Sequence, residues 1–179
     1  MKRICVFCGS TKGTHPSYEQ TTQELGTLLV KRGIGLVYGG GNIGLMGVIA
    51  ETVLKAGGEV IGIIPEALAE KELALRELAD LRIVKTMHER KALMEQLSDG
   101  FIALPGGYGT LEEICEMVTW AQLGIHHKPC GLLNLEGFYD SFLAFMDHQV
   151  QEGFVTSANR SLTIYEKTPQ GLLDLMTNR

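Results

Sequence analysis

The sequence contains no run of apolar residues approaching the roughly 20 that a membrane-spanning helix requires, so an integral membrane helix is not expected. No block of basic residues appears either. The formal net charge is -5 and the charges are scattered, which argues against a surface built for nucleic acid or anionic lipid. The opening residues MKRICVFCGS carry two basic residues and an apolar run that stops at Gly9, too short for the core of a secretion signal. A cytoplasmic location is therefore expected. No Pro/Ser-rich linker, repeat or low-complexity tract interrupts the chain, and a 179-residue chain that is 45% hydrophobic can bury one sizeable core. A single domain over 1–179 is expected.

Cysteine is scarce, with four residues, which excludes a disulfide framework. Cys5 and Cys8 match C-x-x-C, but on a strand positions i and i+3 point to opposite faces and could share neither a metal nor a disulfide. Cys115 and Cys130 have no partner spacing, and His126-His127 lacks a third ligand. No metal site is expected.

What is present is alternation. Short apolar runs at Arg3 to Cys8, Gly35 to Tyr38, Val60 to Ile64, Leu81 to Val84, Gly100 to Leu104, Cys130 to Asn134 and Leu162 to Tyr165 read as strands. Between them, Tyr18 to Arg32, Leu45 to Ala56, His88 to Leu97, Leu111 to Leu123, Phe138 to Glu152 and Pro169 to Met176 carry helical periodicity. The stretch Glu66 to Asp80 has no clear period and reads as loop with some helix. Repeated βα units of this kind predict an α/β, Rossmann-like, doubly wound and mainly parallel sheet of about seven strands, with helices on both faces. In such sheets ligands lie beyond the carboxyl ends of the strands, where helix N-termini offer free N–H groups.

Three of those loops are glycine-rich: Gly9-Ser10-Thr11, Gly39-Gly40-Gly41-Asn42-Ile43-Gly44 and Pro105-Gly106-Gly107-Tyr108-Gly109-Thr110. Each precedes a helix, so each can turn backbone N–H groups toward an anion. The middle loop satisfies G-x-G-x-x-G, but the acidic residue a dinucleotide site needs is missing from the end of the next strand, where Pro65 stands. The last loop has no Gly-Lys-Ser/Thr, which argues against cleavage of ATP or GTP.

Carboxylates follow instead of a lysine. Glu112 and Glu113 are expected in the first turn of a helix starting near Thr110, where T-x-x-E also spells a capping box. Arg90 and Lys91 follow the fourth strand, near another helix start. If the fourth and fifth strands are neighbours, Arg90 and Glu113 face one cleft. An anion cradle, a guanidinium and carboxylates suit hydrolysis at a sugar: the loops hold a 5'-phosphate, a carboxylate handles water, and charge stabilises an oxocarbenium-like transition state.

The stretch Pro105-Gly106-Gly107-Tyr108-Gly109-Thr110-Leu111-Glu112-Glu113 matches P-G-G-x-G-T-x-x-E, and Gly39 to Gly47 resembles the second glycine signature of the LONELY GUY (LOG) family. Similarity continues through Cys8-Gly9-Ser10, Met87-His88 with Arg90-Lys91, and Thr119 to His126. The resemblance implies a cytokinin riboside 5'-monophosphate phosphoribohydrolase, typically dimeric and needing no cofactor. It implies Arg90 and Glu113 as the catalytic pair. Substrate contacts implied with it are Glu72, Lys91, Gly106, Gly107, Tyr108, Gly109, Thr110, Leu111, Glu112 and Thr119, with Gly9, Ser10, Gly40 and Gly41 from the other loops. An AMP nucleosidase and a non-catalytic nucleotide sensor remain as alternatives. The apolar stretch Met117 to Ile125 is expected to join two copies of the chain.

Overall fold

The computed structural model describes residues 1–69 and 78–178. Glu72, expected at the site, lies outside the described residues. The elements run β1 (Arg3–Phe7), α1 (Pro16–Lys31), β2 (Gly35–Tyr38), α2 (Gly44–Lys55), β3 (Val60–Pro65), α3 (Glu66–Ala69), β4 (Asp80–Val84) and α4 (Met87–Leu97). The second half follows with β5 (Phe101–Ala103), α5 (Tyr108–Gln122), β6 (Cys130–Leu133), α6 (Asp140–Gln151), α7 (Ser157–Arg160), β7 (Thr163–Glu166) and α8 (Pro169–Thr177).

All seven strands form one parallel sheet in the order β4-β3-β2-β1-β5-β6-β7. Its central strands read as unbroken apolar runs because helices cover both faces, so there is no solvent side to demand alternation. Leu25 and Leu29 of α1, Ile49 and Val53 of α2 and Leu172 of α8 build the core on one face. Met94 of α4, Ile114 and Met117 of α5 and Leu143 of α6 build the other. Cys5 and Cys8 fall in opposite cores, as the period of two requires, and both are free thiols. Among the described residues no helix is long and apolar enough to cross a membrane.

The sheet corrects one expectation. β4 and β5 are not neighbours: β4 is an edge strand, and three strands separate it from β5. The chain winds outward through β2, β3 and β4, and α4 then carries it back beneath β3, β2 and β1 to open the other half. The reversal falls between β1 and β5, which makes the crevice above those two strands the expected ligand position.

Helix boundaries shift for local reasons. α6 starts at Asp140 rather than Phe138, because a 3₁₀ turn at Leu135–Gly137, with Glu136 at φ 49°, first redirects the chain. There Asn134 Oδ1 accepts from the Tyr139 N–H at 2.7 Å, and the buried Tyr139 hydroxyl donates to the Leu104 carbonyl at 2.6 Å. α4 is capped by Thr86, whose Oγ1 accepts from the Glu89 N–H at 3.1 Å, while Glu89 Oε2 accepts from the Lys85 N–H at 2.9 Å.

His126 sits at the base of the sheet, 5% exposed, with its ring 5.3 Å from that of Phe101. Its Nδ1 accepts from the Lys128 N–H at 3.1 Å, which only the neutral ring can do. Burial is the main influence, and it holds the imidazole below its ordinary value of 6.5. The unfolded chain therefore binds this proton more readily, so the stability His126 contributes is present above 6.5 and lost as pH falls toward the folded value. Melting temperature is expected to fall between pH 7 and 5, and His126→Asn is expected to flatten that part of the profile relative to the native chain.

Candidate active site

At the switch point the three glycine loops are interlocked. The Gly9 N–H donates to the Pro105 carbonyl at 3.1 Å, and the Leu45 N–H donates to the Gly9 carbonyl at 3.0 Å. Gly44, at φ 59°, presses against the Ser10 backbone so closely that a Cβ there would lie 2.2 Å from its carbonyl carbon. Glycine is needed because one loop lies directly on another.

Over these loops stands the N-terminus of α5. The helix begins at Tyr108 with Gly107 as its N-cap, three residues earlier than the periodicity suggests. Thr110 is therefore inside the helix and buried, not the cap, and Glu113 falls in the second turn. This corrects the expected capping box. The exposed residues Gly107, Tyr108 and Gly109 leave the first N–H groups of the helix directed to the crevice, where an anion is favoured. A cavity of about 230 Å³ opens there, lined by Gly9, Ser10, Tyr108, Thr110, Arg90 and Glu113 among others.

Arg90 reaches this cavity from the second turn of α4. Its Nη1 donates to Glu113 Oε1 at 2.8 Å, Nε to the Ile63 carbonyl at 3.0 Å and Nη2 to the Gly39 carbonyl at 3.3 Å. The two side chains are 8% and 11% exposed. Three acceptors on different elements fix the guanidinium, so it arrives preorganised. Gly39 makes this possible: a Cβ there would lie 2.2 Å from Arg90 Nη2. The first glycine of the G-x-G-x-x-G run thus makes room for an arginine, a role invisible in the motif itself.

The remaining expected residues divide. Gly40 and Gly41 are buried; Gly40, at φ 78°, packs on Ile63, Ile64 and Leu81 and does not line the cavity. Gly106 lies under Thr110, where a Cβ would sit 2.1 Å from Thr110 Oγ1. Leu111 is half-buried against the core between α5 and the sheet. Lys91 and Glu112 meet each other beside the cavity and do not line it; Glu116, not anticipated, joins them. Thr119 lies farther along α5, exposed, its Oγ1 donating to the Cys115 carbonyl at 2.7 Å. It lines a separate groove of about 290 Å³ between α5 and α6, with Phe142 and Phe145. Among the described residues no cluster of His, Cys, Asp and Glu could hold a metal ion.

These features define a class: Rossmann-like α/β proteins with a crevice at the switch point, lined by glycine loops and a helix N-terminus. Within that class the chain belongs to the LOG family. The family model described as "Possible lysine decarboxylase" matches residues 46–176. Cytokinin riboside 5'-monophosphate phosphoribohydrolase LOG of Oryza sativa subsp. japonica is 54% identical over 172 residues, covering 96% of this chain and 71% of the relative. LOG1 of Arabidopsis thaliana is 55% identical over 163 residues, covering 91% and 76%. Among solved structures, the molybdenum cofactor carrier protein of Chlamydomonas reinhardtii superposes with a TM-score of 0.72 at 19% identity, covering 99% of this chain and 96% of that one, which shows a shared fold. The decarboxylase description does not fit the residues. Pyridoxal phosphate chemistry needs a lysine for its Schiff base, no lysine lines the cavity among the described residues, and Lys91 is held by two carboxylates.

A buried ion pair contributes little net stability, yet removing one of its partners costs about 3–5 kcal/mol. Arg90→Met is therefore expected to lower unfolding free energy by about that much, and adding Glu113→Leu is expected to restore most of it. Chemical denaturation of the single and double variants checks this; no recovery in the double variant would show that the pair stabilises the fold in its own right.

Proposed function

We propose that this protein hydrolyses the N-glycosidic bond of cytokinin riboside 5'-monophosphates, which are N6-modified AMP, to a free base and ribose 5-phosphate. The observation that carries the reading is a buried Arg90–Glu113 pair opening into the same cavity as the N-terminus of α5. The names of relatives at 54% and 55% identity support it.

In this reading the 5'-phosphate lies against the N–H groups of Gly107, Tyr108 and Gly109 and the Gly9-Ser10 turn, where the helix dipole and free donors favour negative charge. That places the sugar between the loops and Glu113. As the carbon–nitrogen bond breaks, positive charge grows on the ring and the Glu113 carboxylate stabilises it. Water's oxygen then bonds to the anomeric carbon and one water proton passes to Glu113; the base nitrogen freed by the broken bond takes a proton from solvent, and Glu113 gives its proton back to solvent, so that one water is consumed in all. Arg90 aims the carboxylate and takes no step of its own. The cavity, about 230 Å³, is smaller than the roughly 300–1,000 Å³ usual for small-molecule sites. It suits the ribose phosphate, with the base extending past the rim at Tyr108, which is 94% exposed.

We also infer a homodimer built on α5. Leu123 and Ile125 at its end are 66% and 60% exposed, and Phe145 and Phe154 across the groove are 56% and 85% exposed. Such a concentration of exposed large apolar side chains is unusual on a monomer surface. Small-angle scattering at micromolar concentration is expected to give a particle of twice the chain mass, and a compact monomer contradicts the inference.

Two kinetic outcomes test the activity. Glu113→Gln keeps the shape but removes the base, so base release is expected to fall by roughly 10²- to 10⁴-fold while AMP binding persists. The nucleoside shares the scissile bond but lacks the anion, so its kcat/KM is expected to lie far below that of the monophosphate. Assaying AMP, isopentenyladenosine monophosphate and its nucleoside side by side decides these points. Equal rates for nucleoside and monophosphate would overturn the phosphate assignment, and preference for AMP would make the protein an AMP nucleosidase.

A further inference from the structure

Met87, Arg90, Lys91 and Met94 share one stripe of α4, the i, i+3, i+4, i+7 spacing of a helix face. Met94 at its lower end is buried in the core, Arg90 lines the cavity, and Lys91 meets Glu112 and Glu116 of α5. Met87, the first residue of the helix, is the upper end of the stripe, while His88 falls outside it. α4 and α5 pack on one face of a parallel sheet, so both begin at its carboxyl edge. One turn before Lys91 is Met87, and one turn before Glu112 is Tyr108, the first residue of α5. The Lys91–Glu112 pair therefore brings Met87 and Tyr108 to opposite sides of the cavity mouth. Both are exposed, Met87 by 40% and Tyr108 by 94%.

From this placement we propose that Met87 and Tyr108 form a clamp for the base of the nucleotide, one jaw a thioether and the other an aromatic ring, which makes Met87 a substrate-binding residue. The clamp takes the nucleotide from the function proposed above, and its test does not depend on turnover.

Three features favour a base as the occupant. The cavity, about 230 Å³, suits a sugar phosphate without a purine beside it, so the base lies at the mouth, next to Tyr108. A purine presents two flat faces, and aromatic side chains stack on such faces whatever the hydrogen-bonding edge of the base. Methionine suits the second face, because its unbranched, polarizable side chain adapts to a ring and makes favourable sulfur–aromatic contacts. Neither jaw carries a charge, which matches a neutral base.

The test measures binding of AMP and of ribose 5-phosphate by calorimetry in a Glu113→Gln background, where turnover is slow, alone and with Met87→Ala, Met87→Leu or Tyr108→Ala added. Tyr108→Ala is expected to weaken AMP binding by roughly 5- to 100-fold, the scale of one lost base stack, and Met87→Ala by roughly 2- to 10-fold. Both are expected to leave the affinity for ribose 5-phosphate unchanged. Met87→Leu, which nearly conserves volume, is expected to keep most of the AMP affinity. Equal losses for AMP and ribose 5-phosphate in Met87→Ala overturn the inference, since the change would then have disturbed the cavity and not the hold on the base; unchanged AMP affinity overturns it as well. A second readout leaves both jaws in place. With the methionine methyl groups labelled with carbon-13, and the Met87 signal identified by its loss in Met87→Leu, AMP is expected to shift that methyl upfield through the ring current of the base, and ribose 5-phosphate is not. A Met87 methyl that AMP leaves unmoved rejects the clamp, whether or not Met87→Ala folds. The two readings fail separately: a native chain whose Met87 methyl shifts with AMP but which releases no base from any monophosphate keeps the clamp and loses the hydrolysis, and base release with an unmoved methyl does the reverse.

Discussion

A single arginine on α4 donates to the second strand's loop, to the third strand and to α5, and most of the site's geometry follows from that. Ile63, Gly39 and Glu113 come from distant parts of the chain, and the Arg90 guanidinium is the group all three share. Its planar array of donors lets one side chain bind two backbone carbonyls and a carboxylate at once, which a lysine's compact charge could not reproduce. Burial sharpens the consequence, since charges removed from water must be matched group by group. The absence of a side chain at Gly39, the late position of Glu113 on its helix and the path of α4 under the sheet all serve this matching.

Much of the fold was legible because a parallel sheet covered on both faces leaves a strong signature. Apolar runs such as Gly35–Tyr38 and Cys130–Leu133 lack alternation, and the helices between them keep a clear period. Strand order was less accessible. Nothing in the spacing says that α4 returns beneath three strands, so the meeting of Arg90 with Glu113 was reached through an adjacency the sheet does not have. The pairing nevertheless forms, because α4 brings Arg90 over the ends of β3 and β2 toward the centre.

Two copies of one pattern show why the site was harder to read than the fold. Thr86-Met87-His88-Glu89 and Thr110-Leu111-Glu112-Glu113 both spell T-x-x-E. The first caps a helix; the second lies within one, because Gly107 lets the helix begin sooner and Glu113 has an arginine to face. Local sequence could not separate them, since the deciding partner lies 23 residues away. The same holds for Lys91, whose partners Glu112 and Glu116 look like an ordinary solvated helix face until α4 is laid against it.

The central position of β1 bears on how the chain acquires its form during synthesis. One edge of β1 pairs with β2, only about thirty residues on, but the other waits for Phe101–Ala103, where Cys5 aligns with Phe101. At the usual rates of translation, about 5–20 residues per second, that second edge stays open for several seconds after the first strands emerge. Contacts so remote in sequence also slow folding, because the loop must close before they can form. The crevice is lined from both sides of that late junction, so the half-made chain has neither a complete sheet nor a place for a ligand, and nascent copies are exposed to pairing with each other before they can bind anything.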